Sequence, residues 1–367
     1  MKVLHLNSGN ETGGGMFHIL SLLHQLNKKI NVTLGLFHDM EMAERARNMG
    51  IQVQIFKQNS KFDLSVLKEI QNFIQKNEID ILHSHGPRAN FISYLIRHNI
   101  TCQWLITVHS DPEDDFIGKG ILGRLFTHLN IKSIKNADHI LAISNRFKDK
   151  LMTFGIEANK ISTILNGIDF HVKPRKIYKR SDFGLNENDF VIMQIARLDP
   201  VKNHKTAFKA LKQLLDKSTE FQLVLVGDGA LENDLKNLAR EMKISKNVHF
   251  LGYRNDIPEL LTLCDITILT SRSESFPLVL LESARAKKPV ISTDVGDVKS
   301  LIPDDRYGFI INVDDYNDLT KKIWKMYQLR KSGMLTIIGE NLHRHAAANF
   351  SEEHFAKSVL MVYKKVV

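Results

Sequence analysis

The sequence predicts an α/β protein built from two doubly wound domains that face each other across a cleft, and three observations lead to this prediction. The chain has 367 residues, the length of about two ordinary domains. Short apolar runs alternate with stretches of helical periodicity, which is typical of parallel sheets covered by helices on both faces. The alternation is interrupted at Asn166–Glu187, where Pro174 and a group of basic residues indicate a linker.

The first half contains strands and helices that follow each other with short connections. The predicted strands are Val3–Asn7, Asn31–Phe37, Val53–Phe56, Ile79–His83, Trp104–His109 and His139–Ser144. The predicted helices are Met16–Leu26, Met40–Met49, Leu64–Lys76, Ala89–His98 and Leu122–Lys135. The pattern is strong in Leu64–Lys76, where Leu67, Ile70 and Ile74 recur at the spacing of one helix face.

The second half repeats this pattern after the linker. The predicted strands are Phe190–Ala196, Phe221–Val226, Val248–Leu251, Ile266–Thr270 and Val290–Thr293. The predicted helices are His204–Leu215, Leu231–Met242, Ile257–Leu263, Leu278–Ala286 and the amphipathic Ser351–Val367, which has acidic residues in its first turn. The predicted domains are residues 1–170 and residues 171–350.

Composition excludes several classes of protein. Cys102 and Cys264 lie far apart, so neither a disulfide framework nor a cysteine-rich zinc site is expected. No apolar run approaches the roughly 18 residues of a membrane span, and the N-terminus is too soon polar for a signal peptide, which favours the cytoplasm. The net charge of +9 suits an anionic ligand or an acidic membrane face, whereas nucleic-acid binding would rest on charge alone.

Residues that follow the predicted strands are informative, because open α/β sheets bind ligands at the carboxyl ends of their strands. Arg197 and Lys202 flank a turn between a strand and a helix. A guanidinium can contact two phosphate oxygens, an ammonium provides a mobile charge, and a helix N-terminus adds backbone N–H groups. The combination suits a pyrophosphate, and two exposed surface cations would give the same sequence.

Two glycine-rich turns also follow predicted strands. Gly13-Gly14-Gly15 lacks the Lys-Ser/Thr of a P-loop, and Gly227-Asp228-Gly229 has Glu232 where a dinucleotide fingerprint has its third glycine. Glycine lets a backbone approach a ligand closely, and it is also common in ordinary flexible turns. The two turns therefore predict close ligand approach but no dinucleotide cofactor.

The most informative segment is Ser273-Glu274-Ser275-Phe276-Pro277-Leu278-Val279-Leu280-Leu281-Glu282. Pro277 suits the first turn of a helix, which puts Glu274 in the preceding loop and Glu282 in the second turn. Amides of Ser275 to Leu278 would point at an anion, and the two carboxylates would accept hydrogen bonds from sugar or ribose hydroxyls. A helix with one acid complementing its dipole and one solvated acid is the alternative.

The Glu274–Glu282 spacing and the upstream Arg197–Lys202 pair resemble the signature of the family-4 retaining glycosyltransferases of the GT-B fold, which build bacterial glycans and glycolipids. Weaker matches follow in the family's order: Gly13–Gly15, His83–Gly86, Thr107–His109, Ser144, Asn166–Asp169 and Gly227–Gly229. The ordered set is specific, although no single motif is. The resemblance implies a Rossmann-like acceptor domain, a Rossmann-like donor domain, and a final helix at 351–367 that crosses back onto the first domain.

The resemblance further implies a retaining sugar transfer in which Arg197 and Lys202 stabilise the departing diphosphate, so that neither a metal nor a cofactor is needed. Glu274 would contact the donor sugar, Glu282 the ribose, and His109 would lie beside the transferred sugar. The other residues expected to bind the donor are Gly13, Gly14, Gly15, Asn166, Gly227, Arg254, Ser275, Phe276, Pro277 and Leu278. The expected partners are a UDP-sugar and a glycan or lipid-linked acceptor of cell-envelope synthesis.

Three positions depart from the family pattern, and they bear on donor specificity. Ser275 follows the first acid where glycine is common, Lys287-Lys288 precedes Pro289, and Ser300 replaces an acid. Two other functions stay open: a nucleotide-sugar epimerase on the same fold, and a partner subunit that binds sugars without turning them over.

Two further segments have two interpretations each. His83 and His85 alternate on a predicted strand and share a face, so that with His109 they would permit a metal site; we expect instead a packed or hydrogen-bonded His83 and a cleft-lining His85. Leu122–Lys135 mixes apolar and basic residues, as does a helix that lies on an anionic membrane. Core packing of one face explains the same pattern and is preferred.

Overall fold

A computed structural model describes residues 1–11, 14–58, 63, 65–113, 115–116 and 120–367. These residues form two units. The first unit comprises Met1–Gly167 together with Glu352–Val367, and the second comprises Ile168–Ser351. The boundaries lie close to those expected from the sequence, at residues 170 and 350.

The first unit contains one sheet of parallel strands. The strands are β1 (Lys2–Asn7), β2 (Asn31–Leu36), β3 (Gln52–Ile55), β4 (Ile81–His85), β5 (Gln103–Val108), β6 (His139–Ala142) and β7 (Ile161–Thr163). Their order is β3-β2-β1-β4-β5-β6-β7, and each neighbouring pair is parallel. The direction of winding reverses between β1 and β4, which is where doubly wound sheets bind ligands.

Helices cover this sheet. They are α1 (Gly14–Asn27), α2 (Glu41–Asn48), α3 (Ser65–Asn77), α4 (Pro87–Ile96), α5 (Gly120–Lys135) and α6 (Asn145–Thr153). Successive residues of β1 enter different cores, because Leu4 packs into one apolar cluster and Val3 into another. Burial on both faces explains why the strands read as continuous apolar runs.

The second unit repeats this architecture. Its strands are β8 (Phe190–Ile195), β9 (Phe221–Val226), β10 (Val248–Phe250), β11 (Ile266–Leu269), β12 (Val290–Thr293) and β13 (Phe309–Ile311), in the order β10-β9-β8-β11-β12-β13. All neighbouring pairs are parallel. Its helices are α7 (His204–Leu215), α8 (Glu232–Glu241), α9 (Ile257–Leu260), α10 (Leu278–Arg285), α11 (Val298–Leu301), α12 (Tyr316–Lys331) and α13 (Met334–Asn349).

The final helix, α14 (Glu352–Val366), belongs to the first unit. Its Glu352 accepts a hydrogen bond of 3.2 Å from the side chain of Gln25 on α1. Phe355 and Tyr363 are buried in the apolar cluster that also contains Ile19 and Leu23 of α1. The final helix thus packs on the first domain, as the sequence resemblance implies.

Strand β4 begins two residues later than predicted, at Ile81 instead of Ile79. Glu78 has a φ of 52°, and Ile79 donates its backbone N–H to the carbonyl of Ile74 at 3.0 Å. Ile79 therefore completes the C-terminal turn of α3. The shift makes His85 the last residue of β4.

Helix α5 leaves much of its apolar face exposed. Leu122, Leu125 and Phe126 have 63%, 51% and 39% of their surface accessible, and Ile121 has 86%. The buried residues of the helix are Gly123, Asn130, Ser133 and Ile134. Core packing is therefore the wrong prediction for the N-terminal half of Leu122–Lys135, because Gly123 is the one buried residue of 122–128. None of the helices in the described ranges combines the length and apolarity needed to cross a bilayer.

Candidate functional site

The main candidate site lies at the carboxyl ends of β8 and β11 in the second unit. These strands are neighbours, and the winding of the sheet reverses between them, so a crevice forms at this edge. Arg197 and Lys202 follow β8, and Glu274 follows β11. The topology thus brings together residues that are distant along the chain.

A close ion pair between Lys202 and Glu274 lies in this crevice. The Nζ of Lys202 is 2.7 Å from Oε1 of Glu274, and the two side chains are only 20% and 14% exposed. Ser271 donates its hydroxyl to the same carboxylate oxygen at 2.6 Å. Because both side chains are largely buried, either charge would be poorly solvated if it lost its partner. The ion pair therefore favours the arrangement in which the two groups stay in contact.

Backbone contacts fix the loop that carries Lys202. Thr270 donates its hydroxyl to the carbonyl of Lys202 at 3.0 Å, and Gln194 donates its side-chain amide to the same carbonyl at 3.2 Å. Arg272 donates its backbone N–H to the carbonyl of Val201 at 2.8 Å. Sequence reasoning missed Gln194 and Thr270, whose signal is a polar residue at the end of an otherwise apolar strand.

Arg197 is placed differently from Lys202. Its side chain is 80% exposed, and its Nη2 lies 3.1 Å from Oδ2 of Asp199. Asp199 also accepts hydrogen bonds from the backbone N–H groups of Val201 and Lys202, which caps the short helical turn before α7. Of the two predicted cations, Arg197 thus reaches solvent, and Lys202 is held in the crevice.

The glycines after β9 allow tight packing against the turn after β8. Gly227 and Gly229 have φ values of 140° and 155°. A Cβ on Gly227 would lie 2.1 Å from the carbonyl oxygen of Ala196, and one on Gly229 would lie 2.5 Å from that of Leu198. The glycines therefore allow a close approach to the protein's own backbone, which fixes the segment between β8 and Lys202, and the predicted approach to a ligand stays a prediction.

The loop before α10 follows the predicted geometry. Pro277 immediately precedes the helix, which begins at Leu278 and ends at Arg285, so Glu274 lies in the loop and Glu282 in the second turn. The backbone of Ser275 packs against Gly296, because a Cβ on Gly296 would lie 2.2 Å from the carbonyl oxygen of Ser275. The ring of Phe276 is buried against Phe350, with ring centroids 5.2 Å apart. Phe276 can therefore offer a ligand only its backbone.

Glu282 is a partly buried acid. Burial raises the pKa of its carboxyl above the ordinary value, and the charge of Arg285 opposes this shift. No side chain or backbone group within the described residues is seen to donate a hydrogen bond to the carboxylate of Glu282. A ligand hydroxyl could supply the missing donor, which is what the sequence predicts for a ribose.

Arg254 forms a fork with a neighbouring acid. Its Nε and Nη2 lie 2.8 Å and 2.5 Å from the two oxygens of Asp256, and Nη2 is 3.2 Å from the hydroxyl of Tyr178. The hydrogen bonds from Arg254 lower the pKa of Asp256 to about 2. The guanidinium is thus held in one orientation, and its predicted contact with a base stays a prediction.

In the first unit, the glycine-rich turn leads into α1. Gly13 lies outside the described residues, Gly14 begins α1, and Gly15 follows. A Cβ on Gly15 would lie 3.1 Å from Oε2 of Glu11, and one on Gly86 would lie 3.0 Å from Oε1 of the same carboxylate. Burial raises the pKa of Glu11, and a hydrogen bond with Asn7 opposes the shift. Sequence reasoning missed Glu11, whose signal is a lone acid before the glycine run.

His109 and Asn166 also lie in the first unit. His109 is half-buried at the end of β5, and the edge of its ring meets His18 with centroids 4.6 Å apart. Burial holds the pKa of His109 well below its ordinary value, and His18 lowers it further. Asn166 is buried. Burial lowers the pKa of His18 to about 4, and a hydrogen bond with the side chain of Asn166 opposes part of this shift.

Three buried histidines beside His109 form the one candidate metal cluster found among the described residues. The ligand atoms of His5, His83 and His85 lie within 4.8 Å of one another. His83 has both ring nitrogens hydrogen-bonded, so the prediction of a polar-satisfied His83 is confirmed. His85 is 1% exposed, so the prediction that it lines a cleft is wrong; its ring is enclosed between His5 and His109.

Two protein-family models match successive parts of the chain. "Glycosyltransferase Family 4" matches residues 12–172, and "Glycosyl transferases group 1" matches residues 176–344. Together they span most of the sequence. The chain belongs to the group 1, or family-4, glycosyltransferases.

Curated relatives are similar over most of their length. The chain is 26% identical over 298 residues to a UDP-Gal:alpha-D-GlcNAc-diphosphoundecaprenol alpha-1,3-galactosyltransferase of Escherichia coli, covering 79% of this chain and 76% of that protein. It is 25% identical over 322 residues to N-acetyl-alpha-D-glucosaminyl L-malate synthase of Bacillus anthracis, covering 86% and 82%.

Solved structures show the same fold. Anabaena HepE in complex with UDP superposes with a TM-score of 0.84 at 20% identity, and each chain is covered in full. The lipopolysaccharide outer core galactosyltransferase WaaB, in its apo form, superposes with a TM-score of 0.75 at 20% identity, again over both complete chains. The fold is GT-B, with two Rossmann-like parallel-sheet domains.

Proposed function

We propose that the protein is a retaining glycosyltransferase that transfers a sugar from a UDP-sugar to a glycan or lipid-linked acceptor in cell-envelope synthesis. The observation that carries the proposal is the pair between Lys202 and Glu274, held at the switch point of the second sheet. An ammonium and a carboxylate in contact there supply one group for a diphosphate and one for a sugar hydroxyl.

Lys202 and Arg197 are the proposed diphosphate ligands. On donor binding, Lys202 would exchange the oxygen of Glu274 for a phosphate oxygen, and the exposed guanidinium of Arg197 would approach from solvent. One well-placed donor at a point where negative charge develops is worth about 3–4 kcal/mol in a site that excludes water. We therefore propose that the reaction needs neither a metal nor a cofactor.

The remaining roles follow from the hydrogen-bonding capacity of each residue. Glu274 would accept a hydrogen bond from the donor sugar, Glu282 would accept from the ribose, and Arg254 would lie near the base. Glu282 suits its role because its carboxylate is partly buried, and a hydrogen bond from a ribose hydroxyl would offset part of the desolvation that raises its pKa. For the first unit, we propose that His109 lies beside the transferred sugar.

The acceptor proposal comes from the relatives. The name of the Escherichia coli relative contains a diphosphoundecaprenol acceptor, and so does that of a Campylobacter jejuni relative that is 30% identical over 201 residues, about half of each chain. Polyprenyl acceptors reside in membranes, so the enzyme would work at a membrane surface on the cytoplasmic side. We propose that α5 provides this contact, because it exposes Leu122 and Leu125 beside the exposed Arg124.

The test is an acceptor-free donor screen. The protein is incubated with UDP-, GDP- and ADP-sugars, and NMR follows the released sugar and its first-formed anomer. We expect slow hydrolysis of a UDP-α-sugar that releases the α anomer first. Glu274→Gln should slow it by about a hundredfold, whereas Glu241→Gln, which removes an exposed acid at the end of α8, should not.

Three results would contradict the proposal. An isomerised nucleotide sugar without hydrolysis would identify an epimerase. Binding of a nucleotide sugar without any turnover, with or without acceptor, would identify a non-catalytic partner subunit. Release of the β anomer first from a UDP-α-sugar would exclude a retaining reaction.

A further inference from the structure

A continuous line of hydrogen bonds crosses the interior of the first unit and ends at His109. Oγ1 of Thr107 on β5 lies 2.7 Å from Nε2 of His83 on β4. Nδ1 of His83 lies 2.6 Å from the hydroxyl of Tyr363 on α14. The same hydroxyl lies 3.1 Å from Nε2 of His5 on β1. Strands β1 and β4 therefore meet the final helix at the Tyr363 hydroxyl, and β5 joins the line through His83.

The line continues from His5 to His109. Nδ1 of His5 lies 2.9 Å from Nε2 of His85, and Nδ1 of His85 lies 3.1 Å from Nε2 of His109. His5, His83 and His85 thus use both ring nitrogens within the line. We call these six residues the histidine line: Thr107, His83, Tyr363, His5, His85 and His109.

The number of protons in the line is fixed by burial. Burial holds the pKa of His5, His83 and His85 far below the ordinary value, and it raises that of Tyr363. Each ring is therefore neutral and has one N–H and one acceptor nitrogen. A neutral ring bonded on both sides donates on one side and accepts on the other, and the tyrosine hydroxyl, with one proton, does the same.

All bonds in the line must consequently point the same way. In one direction, His85 donates to Nε2 of His109, and His109 carries its own proton on Nδ1. In the other direction, His109 donates from Nε2, and its Nδ1 is a bare acceptor. No ring can reverse alone without placing two protons, or none, in one of the bonds.

We infer that the histidine line holds the proton of His109 on one ring nitrogen, because His109 can change tautomer only if every other member of the line reverses with it, and that Tyr363 is the positioning residue through which the final helix takes part. The consequence for sugar transfer rests on the proposed function. There, a fixed tautomer would give His109 a fixed donor or acceptor toward a sugar hydroxyl. The tautomer itself can be measured without any substrate.

A bound transition metal is the alternative that three buried imidazoles suggest. Each nitrogen that would ligate it in His5, His83 or His85 already has a partner in the line. A metal would have to displace at least one of these hydrogen bonds. The metal content of the purified protein is therefore part of the test.

The experiment compares wild-type protein with Tyr363→Phe after labelling with nitrogen-15 histidine. Side-chain nitrogen shifts report the tautomer of each ring. In wild type we expect one tautomer at each histidine of the line. Tyr363→Phe removes the only proton that joins the two halves, so His109 should become a mixture of tautomers. Thr107→Val, which removes the end of the line, is the second variant if Tyr363→Phe fails to fold.

Internal controls and turnover separate this inference from the proposed function. His139 bonds to Ser162 outside the line, so its shifts should not change. Hydrolysis of the donor should fall about twofold in kcat if half the molecules carry the wrong tautomer. Mixed tautomers with unchanged turnover would support the line and remove His109 from the reaction. An unchanged His109 tautomer in both variants, or a stoichiometric metal in the wild type, would overturn the inference.

Discussion

At the scale of single residues, burial lowers the pKa of several histidines in the first unit. Burial lowers the pKa of His5 to about 3 and that of His18 to about 4. The pKa values of His83, His85 and His109 are also far below their ordinary value of 6.5. The native state therefore keeps these rings neutral under conditions in which the unfolded chain binds protons.

This difference predicts that acid destabilises the first unit well above the range in which carboxylates titrate. Below pH 6.5 the unfolded state binds more protons than the native state, so the free energy of unfolding falls as pH falls. Each such histidine contributes about 1.4 kcal/mol per pH unit once it is protonated in the unfolded chain. The loss should run from pH 6.5 down to about 4 for His18 and down to about 3 for His5, the native pKa values of these two rings.

Urea unfolding at pH 7 and pH 5 measures the effect. Trp104 is buried in the first unit, and Trp324 lies in the second, so Trp324→Phe leaves a fluorophore that reports on the first unit alone. His18→Gln should reduce the pH dependence, whereas His98→Gln, at an exposed ring, should not. Equal urea midpoints at the two pH values would contradict the account.

Among the elements, α5 differs most from what its pattern predicted. An amphipathic sequence does not say whether its apolar face meets a core or another surface, and here Ile121, Leu122 and Leu125 face outward. Arg124, Lys132 and Lys135 of the same helix are exposed as well. Apolar and basic side chains together suit insertion into the headgroup region of an anionic bilayer.

We expect the protein to sediment with vesicles of phosphatidylglycerol and phosphatidylcholine, and Leu122→Glu to abolish most of this binding. The charge would have to enter the apolar part of the interface, which costs on the order of 2 kcal/mol or more. Ile177→Glu is the matched control, because Ile177 is 85% exposed in the second unit. Equal sedimentation of the two variants would argue against a role for α5.

The local pattern of apolar residues predicts most strands and the helices between them. It also predicts which turn residues follow the strands. Arg197, Lys202, Glu274 and Glu282 are predicted in this way, and their roles toward a ligand stay predictions. The signal of Gln194 and Thr270, a polar residue at the end of an apolar strand, does not reveal their role, because that role depends on β8 and β11 being neighbours in the sheet. Likewise, Tyr363 meets His5 across nearly the whole chain, and no local spacing encodes that contact.

Boundaries were predicted less well where a tertiary contact decides them. Ile79 was assigned to a strand, yet its N–H closes the end of α3. His85, predicted to line a cleft, became the last residue of β4 and is enclosed by other histidines. In both cases the sequence pattern fits two arrangements. Ile79 could belong to a strand or to the end of a helix, His85 could line a cleft or lie inside the sheet, and packing selects one of the two.

For the whole molecule, the central claim is that the switch point of the second sheet binds the diphosphate of a nucleotide sugar. The first six strands of the first sheet and the six strands of the second have the same order and the same reversal of winding. In the second, the reversal coincides with a cation and a carboxylate that belong to adjacent strands. The side chains of Thr270 and Gln194, which donate to the backbone carbonyl of Lys202, hold this arrangement.

Calorimetric titration of UDP tests this claim most directly. Wild-type protein should bind UDP, and Lys202→Ala should weaken binding at least about tenfold, because a charge-assisted hydrogen bond is lost and the carboxylate of Glu274 is left facing the phosphates. Lys205→Ala, which removes an exposed cation three residues away on α7, should bind UDP as the wild type does. Equal affinity in the two variants, or no binding by the wild type, would contradict the account.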